Sequence, residues 1–217
     1  MPYTLSLFAD TLAPDAKPAV LPAANRVLYI TKGAAEVDAS GSVARLTKDG
    51  SGFFPGALAI GAGAEGAEVL RWELTRDGSA SAAPRGATTK KLLAAPVTID
   101  AGAQYLIRLD TIELGVGGKA PKHVHQGPGI RCLLEGRFTV ETQGHTNSYK
   151  PGEAWFETGP DPVVAWAPAD KNAKFVRVMI LPRTLMGKMS TRYLETNPTV
   201  ATQGRRWFIY FDRAIEP

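Results

Sequence analysis

The chain has 217 residues, of which 44% are hydrophobic and 21% charged, and its formal net charge is +4. This length allows one large domain or two small ones, and so high a hydrophobic content at low net charge excludes wholesale disorder. No apolar run approaches the roughly 20 residues of a membrane-spanning helix. The densest basic clusters are the pairs Lys90-Lys91 and Arg205-Arg206, which are too small for a nucleic-acid footprint.

The cysteine count and the N-terminus bear on the compartment. Cys132 is the single cysteine, so no intrachain disulfide is possible and nothing indicates an oxidising environment. Residues 1–10 have neither the basic region nor the apolar region of a signal peptide. We therefore expect a cytoplasmic protein.

Short β-type runs follow one another along the whole chain, separated by glycine and proline. Several of them alternate polar with apolar residues, as half-buried strands do. Long windows with helical spacing are missing, and only short pieces such as residues 191–195 are compatible with helix. The pattern predicts an all-β sandwich or barrel. The clearest runs are residues 26–30, 68–74, 105–109, 174–180 and 206–211.

The sequence also repeats itself at an offset of 103 residues. Residues 27–37 align with residues 130–140, and residues 69–71 align with Val176 and Arg177 after a slip of three. We interpret this as the duplication of a β unit, which predicts two domains, residues 1–85 and 86–217, joined in the Gly-, Ser-, Ala- and Pro-rich stretch 77–89. The other matched pairs are Gly33 with Gly136, Val37 with Val140, Gly41 with Gly144 and Phe53 with Phe156.

Histidine has the most informative distribution of any residue type. The three histidines, His123, His125 and His145, lie within 23 positions of one another. On a strand, residues i and i+2 point to the same face, so His123 and His125 aim two imidazoles into one space, which is half of a metal site. His145 lies in a turn sequence, where we expect a solvent-exposed side chain.

These residues resemble the first motif of the cupin family, G(x)5HxH(x)3–4E(x)6G. Gly117 stands six positions before His123, and Gly136 closes the motif, while residues 151–153 (Pro-Gly-Glu) resemble the turn that opens the second motif. The resemblance covers residues 101–181 and, more weakly, 25–74. It implies jelly-roll barrels, and two barrels in one chain imply a bicupin.

The sequence departs from the cupin motifs at two ligand positions. Gly129 stands where the motif has glutamate, and no histidine occurs near Val163, where the second motif would place one. In the N-terminal half, the two histidine positions map to Val20 and Pro22. That half therefore cannot bind a metal in the family manner.

Glu157 is the candidate to complete a metal site with His123 and His125, unless it is a solvated residue at a strand end. Two histidines and a carboxylate suit a catalytic zinc ion or an Fe(II) centre, and nickel and manganese are not distinguished. The predicted cofactor is therefore one divalent metal ion.

Three further residues are candidates for substrate binding: Arg131, Trp155 and Gln126. The resemblance implies that position 129 points into the barrel, and alternation then places Arg131 on the same inward face, unless the strand register differs. There Arg131 either pairs with an internal acid or grips a substrate carboxylate. Trp155 lies either at the pocket mouth or in the core. Gln126 is an oxygen donor on a neighbouring loop.

Three hypotheses remain open. In the first, the chain is a bicupin whose C-terminal barrel acts on or binds a small anionic molecule, with a metal for oxygenase, lyase or isomerase chemistry. In the second, the barrel binds its ligand without metal or catalysis. In the third, both barrels serve assembly, and the apolar run 206–211 packs across a homodimer.

Overall fold

The computed structural model describes residues 2–76, 82–194 and 205–216. Almost every element in these residues is a β-strand, and a single 3-10 turn at Arg183–Leu185 is the one helical element among them. No helix in the described part of the chain is long and apolar enough to cross a membrane. Two compact units divide the chain, Met1–Ala101 and Gly102–Pro217. The all-β prediction is therefore confirmed.

The first unit is one seven-stranded antiparallel sheet with the order β4-β3-β6-β1-β7, to which β2 adds beside β6 and β5 beside β3. Its long strands β3 and β6 carry most of the apolar core, because both bury aliphatic residues over most of their length. Its strands are β1 (Pro2–Leu12), β2 (Ala19–Leu21), β3 (Asn25–Ala39), β4 (Ser42–Thr47), β5 (Ser51–Phe54), β6 (Leu58–Arg76) and β7 (Thr88–Thr98).

The second unit consists of two five-stranded antiparallel sheets, ordered β13-β10-β15-β8-β17 and β12-β11-β14-β9-β16. One apolar core draws its residues from both sheets. The strands are β8 (Tyr105–Leu114), β9 (Lys119–His125), β10 (Gly129–Gly136), β11 (Phe138–Thr142), β12 (His145–Tyr149), β13 (Ala154–Glu157), β14 (Val163–Trp166), β15 (Ala173–Pro182), β16 (Thr191–Tyr193) and β17 (Arg205–Ile215).

Strand pairing in the two units follows the 103-residue repeat. Val27 pairs with Phe53 in the first unit, and Ile130 pairs with Phe156 in the second. The repeated glycines also share a conformation that other residues rarely adopt, since Gly33 and Gly136 have φ values of +69° and +77°. The sequence repeat is thus a repeat of strand register as well.

The boundary between the two units and one short element differ from the sequence-based expectations. β7 pairs with β1, so the first unit continues to residue 101 rather than ending at the expected boundary of residues 85 and 86. The pairing of β7 with β1 places residues 88–98 in the first unit. The Gly- and Ser-rich composition of the preceding stretch gives no sign of this pairing. The helix considered around residues 191–195 is wrong in its described part, because Thr191–Tyr193 is a strand paired with β9.

β17 covers the run for which a dimer interface was predicted. It lies at the end of its sheet, where β8 is its single strand partner among the described residues. Phe208 on this strand is 60% exposed. An exposed apolar edge favours pairing with another chain, and the homodimer stays a prediction.

A buried network of charges lies in the first unit. Arg71 donates to Asp10 Oδ2 at 2.6 Å and to Glu73 Oε1 at 2.7 Å, and Arg26 donates to the same Glu73 oxygen at 2.7 Å. None of these four side chains is more than 1% exposed. Buried charges are tolerated only when they are paired, so Glu73 compensates two guanidinium groups at once.

Replacing Glu73 by glutamine should therefore lower the free energy of unfolding by about 3 kcal/mol, because two buried guanidinium groups lose their shared counter-charge. Urea unfolding measures this. Glu68→Gln on the same strand is the control: its contact with Lys32 is long, 3.7 Å, and exposed, so it should cost less than about 1 kcal/mol. Equal effects of the two substitutions would contradict a structural role for the network.

Candidate functional site

The two histidines of β9 border one small cavity between the sheets of the second unit. His123 and His125 are 6% and 5% exposed, and their ring centroids are 4.9 Å apart. Val163 of β14 pairs with His123 and lines the same cavity. The expectation that alternate residues of this strand point into one space holds in this geometry. His145 is exposed in the β11–β12 hairpin, as predicted.

Arg131 and Glu157 lie opposite the histidines. Antiparallel pairing of β10 with β13 brings them together, and Arg131 Nη2 is 2.8 Å from Glu157 Oε2. Of the two roles considered for Arg131, the structure shows the internal ion pair. The pair is incompletely satisfied, because neither Nη2 nor Oε2 has a hydrogen bond of good geometry among the described residues. Nη2 can therefore donate to a further polar partner, and Oε2 can accept from one.

The other two candidates for substrate binding do not line this cavity. Trp155 packs in the core against Phe138 and Phe175, and its indole N–H donates to Glu157 Oε1 at 2.8 Å. Gln126 is exposed, and its amide lies 3.5 Å from the carbonyl oxygen of Met189. Trp155 therefore orients the Glu157 carboxylate from the core, while Gln126 does not line the cavity.

Neighbouring polar groups indicate the tautomers of both histidines. His123 Nδ1 lies 2.7 Å from the Pro121 carbonyl oxygen, so Nδ1 carries the proton and Nε2 keeps its lone pair. His125 Nε2 lies 3.2 Å from Glu157 Oε2, and Nδ1 lies 3.4 Å from the Thr191 hydroxyl. The nearby carboxylate favours the tautomer of His125 with the proton on Nε2, where it faces Glu157 Oε2 without a hydrogen bond of good geometry.

Burial decides the protonation of these groups. It lowers the pKa of His125 to about 3, although Glu157 acts in the opposite direction, and it also lowers the pKa of His123. Burial alone would raise the pKa of Glu157, but Arg131, His125 and the hydrogen bond from Trp155 hold it well below its ordinary value. Burial lowers the pKa of Arg131 to about 10. At neutral pH the site holds neutral histidines, a carboxylate and a guanidinium.

Sequence reasoning missed two further guanidinium groups in the cavity wall. Arg177 of β15 and Arg205 of β17 both line it. Asp110 of β8 binds Arg177 at two oxygens, with distances of 2.5 and 3.0 Å. Arg205 donates to the Tyr193 hydroxyl at 2.8 Å, and no carboxylate in the described residues forms a salt bridge with it. The repeat held a signal for Arg177, since it matches Arg71, which is also fully buried and paired with acids.

The residues present do not suit a divalent metal ion. Of the three predicted ligands, Glu157 is neutralised by Arg131, and Nε2 of His125 faces this carboxylate, which leaves His123 Nε2 as the available lone pair. The described residues contain no group of three His, Cys, Asp or Glu side chains arranged to hold a metal. Arg131 and Arg177 are compensated by Glu157 and Asp110, and the charge of Arg205, which forms no salt bridge among the described residues, would repel a cation.

The structure shows the surroundings of the two positions at which the sequence departs from the cupin motifs. A side chain at Gly129 would clash with the Val178 carbonyl oxygen, because β10 and β15 approach each other closely at this point. Val163, which stands where the second motif places histidine, presents an apolar side chain to the cavity. Neither position can supply a ligand.

Comparisons with known proteins identify the fold. No family model and no curated protein matches the sequence. Solved structures do match. A cupin 2 conserved barrel domain protein from Leptotrichia buccalis aligns with a TM-score of 0.52 and 17% identity, over 83% of this chain and 85% of that one.

Two larger similarities point the same way. Bacillus subtilis oxalate decarboxylase, in a study of its Mn(II) centres, aligns with a TM-score of 0.61 and 13% identity, over 91% of this chain and 75% of that one. The 11S allergen from Cocos nucifera aligns with a TM-score of 0.62 and 11% identity, over 82% and 81% of the two chains. The structural similarity shows that this chain has a cupin-type fold. Sequence identities this low leave its activity open.

The burial of His125 predicts a loss of stability in acid. In the unfolded chain histidine takes up a proton near pH 6.5, whereas folded His125 does so only at about pH 3. Between these values the unfolded state binds more protons, so the free energy of unfolding falls as pH falls, by about 1.4 kcal/mol per pH unit for this group. The lowered pKa of Glu157 adds a loss of the same sign below about pH 4.5.

Urea unfolding at pH 7, 6 and 5 measures this dependence. His125→Gln should flatten it, while His145→Gln, which changes an exposed residue, should leave it unchanged. Identical pH dependence in wild type and His125→Gln would show that His125 is not buried in its neutral form.

Proposed function

We propose that the chain is a bicupin whose second barrel binds a small organic anion without a resident metal ion. The observation that carries the proposal is the charge of the cavity. Among the residues that the structure describes, its wall contains Arg131, Arg177 and Arg205 but a single carboxylate, Glu157. Even with Asp110 behind Arg177, positive charge exceeds negative charge.

The size of the cavity limits what enters it. Its volume, measured as the space open to the centre of a water molecule, is about 20 Å³. That is room for about one water molecule, so a ligand places only a terminal polar atom in it. A carboxylate suits the site, since it accepts paired hydrogen bonds from guanidinium groups.

His123 adds a second element of recognition. Its Nε2 keeps a lone pair, because Nδ1 donates to Pro121. It therefore accepts a hydrogen bond from a hydroxyl or amino group beside the bound carboxylate. The lowered pKa of His123 keeps the ring neutral at physiological pH, so this role does not depend on protonation.

The metal-dependent alternative retains one specific argument, the His-x-His pair on a cupin strand, and elemental analysis decides it. We expect protein purified without a nickel column, loaded with Mn²⁺ or Zn²⁺ and dialysed, to hold much less than one equivalent of metal. A His123→Ala/His125→Ala variant should hold the same amount. One equivalent in the wild type that is lost in the double variant would overturn the metal-free proposal.

Anion binding is tested directly with acetate, by isothermal titration calorimetry at fixed ionic strength. Arg205→Gln should weaken acetate binding roughly tenfold, the effect of losing one charge-assisted hydrogen bond. Arg206→Gln is the matched control, because Arg206 is the next residue on β17, is exposed and faces away from the cavity. No binding at 100 mM acetate, or equal losses in both variants, would count against the proposal.

A further inference from the structure

A second, larger pocket adjoins the inner cavity and shares two of its residues. We call it the vestibule and define it by the six residues that line it. Its volume, on the same measure, is about 150 Å³. Arg177 and Arg205 line both spaces, so these two residues lie between the inner cavity and the vestibule. The six residues are Arg177, Met189, Thr191, Tyr193, Arg205 and Trp207.

The vestibule differs from the inner cavity in chemistry. Met189, Tyr193 and Trp207 give it a sulfur atom and two aromatic rings, and Met189 and Trp207 are 53% and 36% exposed. Exposed methionine and tryptophan side chains favour contact with a flat apolar group. The inner cavity, by contrast, is bordered by charged and hydrogen-bonding groups on one side.

One carboxylate, that of Asp110, connects an aromatic residue of the vestibule with an arginine. Asp110 Oδ2 accepts a hydrogen bond from the Trp207 indole at 2.9 Å and one from Arg177 at 3.0 Å. Tyr193 is fixed in a similar way, since its hydroxyl accepts from Arg205. The aromatic rings are thus held at a set position relative to the anion-binding groups before any ligand arrives, which lowers the entropic cost of binding.

We propose that the ligand is an aromatic monocarboxylate whose ring lies in the vestibule between Met189, Tyr193 and Trp207 and whose carboxylate reaches Arg177 and Arg205. This deepens the anion-binding function proposed above and rests on it. An apolar cavity of about 150 Å³ accommodates a benzene ring, so the size suits one ring rather than a larger body. An oxygen atom of the ligand's carboxylate is then the one part of the ligand that enters the inner cavity.

The test compares three probes by isothermal titration calorimetry: acetate, phenylacetate and 2-phenylethanol. Phenylacetate should bind at least tenfold more tightly than acetate, which lacks the ring, and than 2-phenylethanol, which lacks the charge. Trp207→Ala should weaken phenylacetate binding about tenfold and leave acetate binding within twofold. Trp207→Phe, which keeps a ring in place, should recover most of the lost affinity.

Phe208→Ala is the control variant. Phe208 follows Trp207 on β17, is 60% exposed and points to the opposite face of the strand. It should bind phenylacetate like the wild type. Circular dichroism and thermal unfolding of each variant check that the folded state persists, and Trp207→Phe keeps the test valid if Trp207→Ala fails to fold.

The outcomes separate the two proposals. Equal affinities for acetate and phenylacetate, both reduced in Arg205→Gln, would overturn the aromatic ligand and leave anion binding intact. Equal affinities for phenylacetate and 2-phenylethanol would overturn anion binding itself, and the proposal built on it. Tight phenylacetate binding that Trp207→Ala does not weaken would place the ring elsewhere and overturn the vestibule proposal.

Discussion

The buried ion pair between Arg131 and Glu157 sets the charge of the cavity in the second unit. A buried carboxylate needs a cation, and here the guanidinium supplies it at 2.8 Å. Because the charge of Glu157 is already compensated, the carboxylate does not attract a metal ion, and the proton of His125 points towards it. Asp110 compensates Arg177, so Arg205 leaves the cavity with one surplus positive charge, and this surplus is the basis of the proposed preference for anions.

Asp110 has a comparable role on the other side of the cavity. It is fully buried, and its two oxygens bind Arg177 and Trp207. β8 lies between β15 and β17 in the sheet, so a residue on this interior strand can contact side chains from both neighbours. The arginines of the inner cavity and the aromatic wall of the vestibule are therefore held by one side chain, and we expect a substitution there to disturb both.

Local patterns in the sequence were enough for the strands, the repeat and the shared direction of His123 and His125. Each depends on alternation or spacing within one segment. The partner of Arg131 was not predictable, since it depends on which residue of β13 lies beside β10. Arg205 and Arg177 reach the cavity from strands far apart in sequence, and only the sheet order brings them together. Trp155 lies in the core because its ring packs with Phe138 and Phe175.

The close approach of β10 to β15 at Gly129 has a consequence for protein engineering. With no space for a β-carbon at this position, introducing glutamate there would push the two strands apart. Converting this barrel into a metalloenzyme would therefore require moving the backbone, removing Arg131 and replacing Val163 together. None of these changes alone creates a metal site, so a library of single substitutions would contain no variant with metal-dependent activity. Selection for such activity would have to begin from multiply substituted variants.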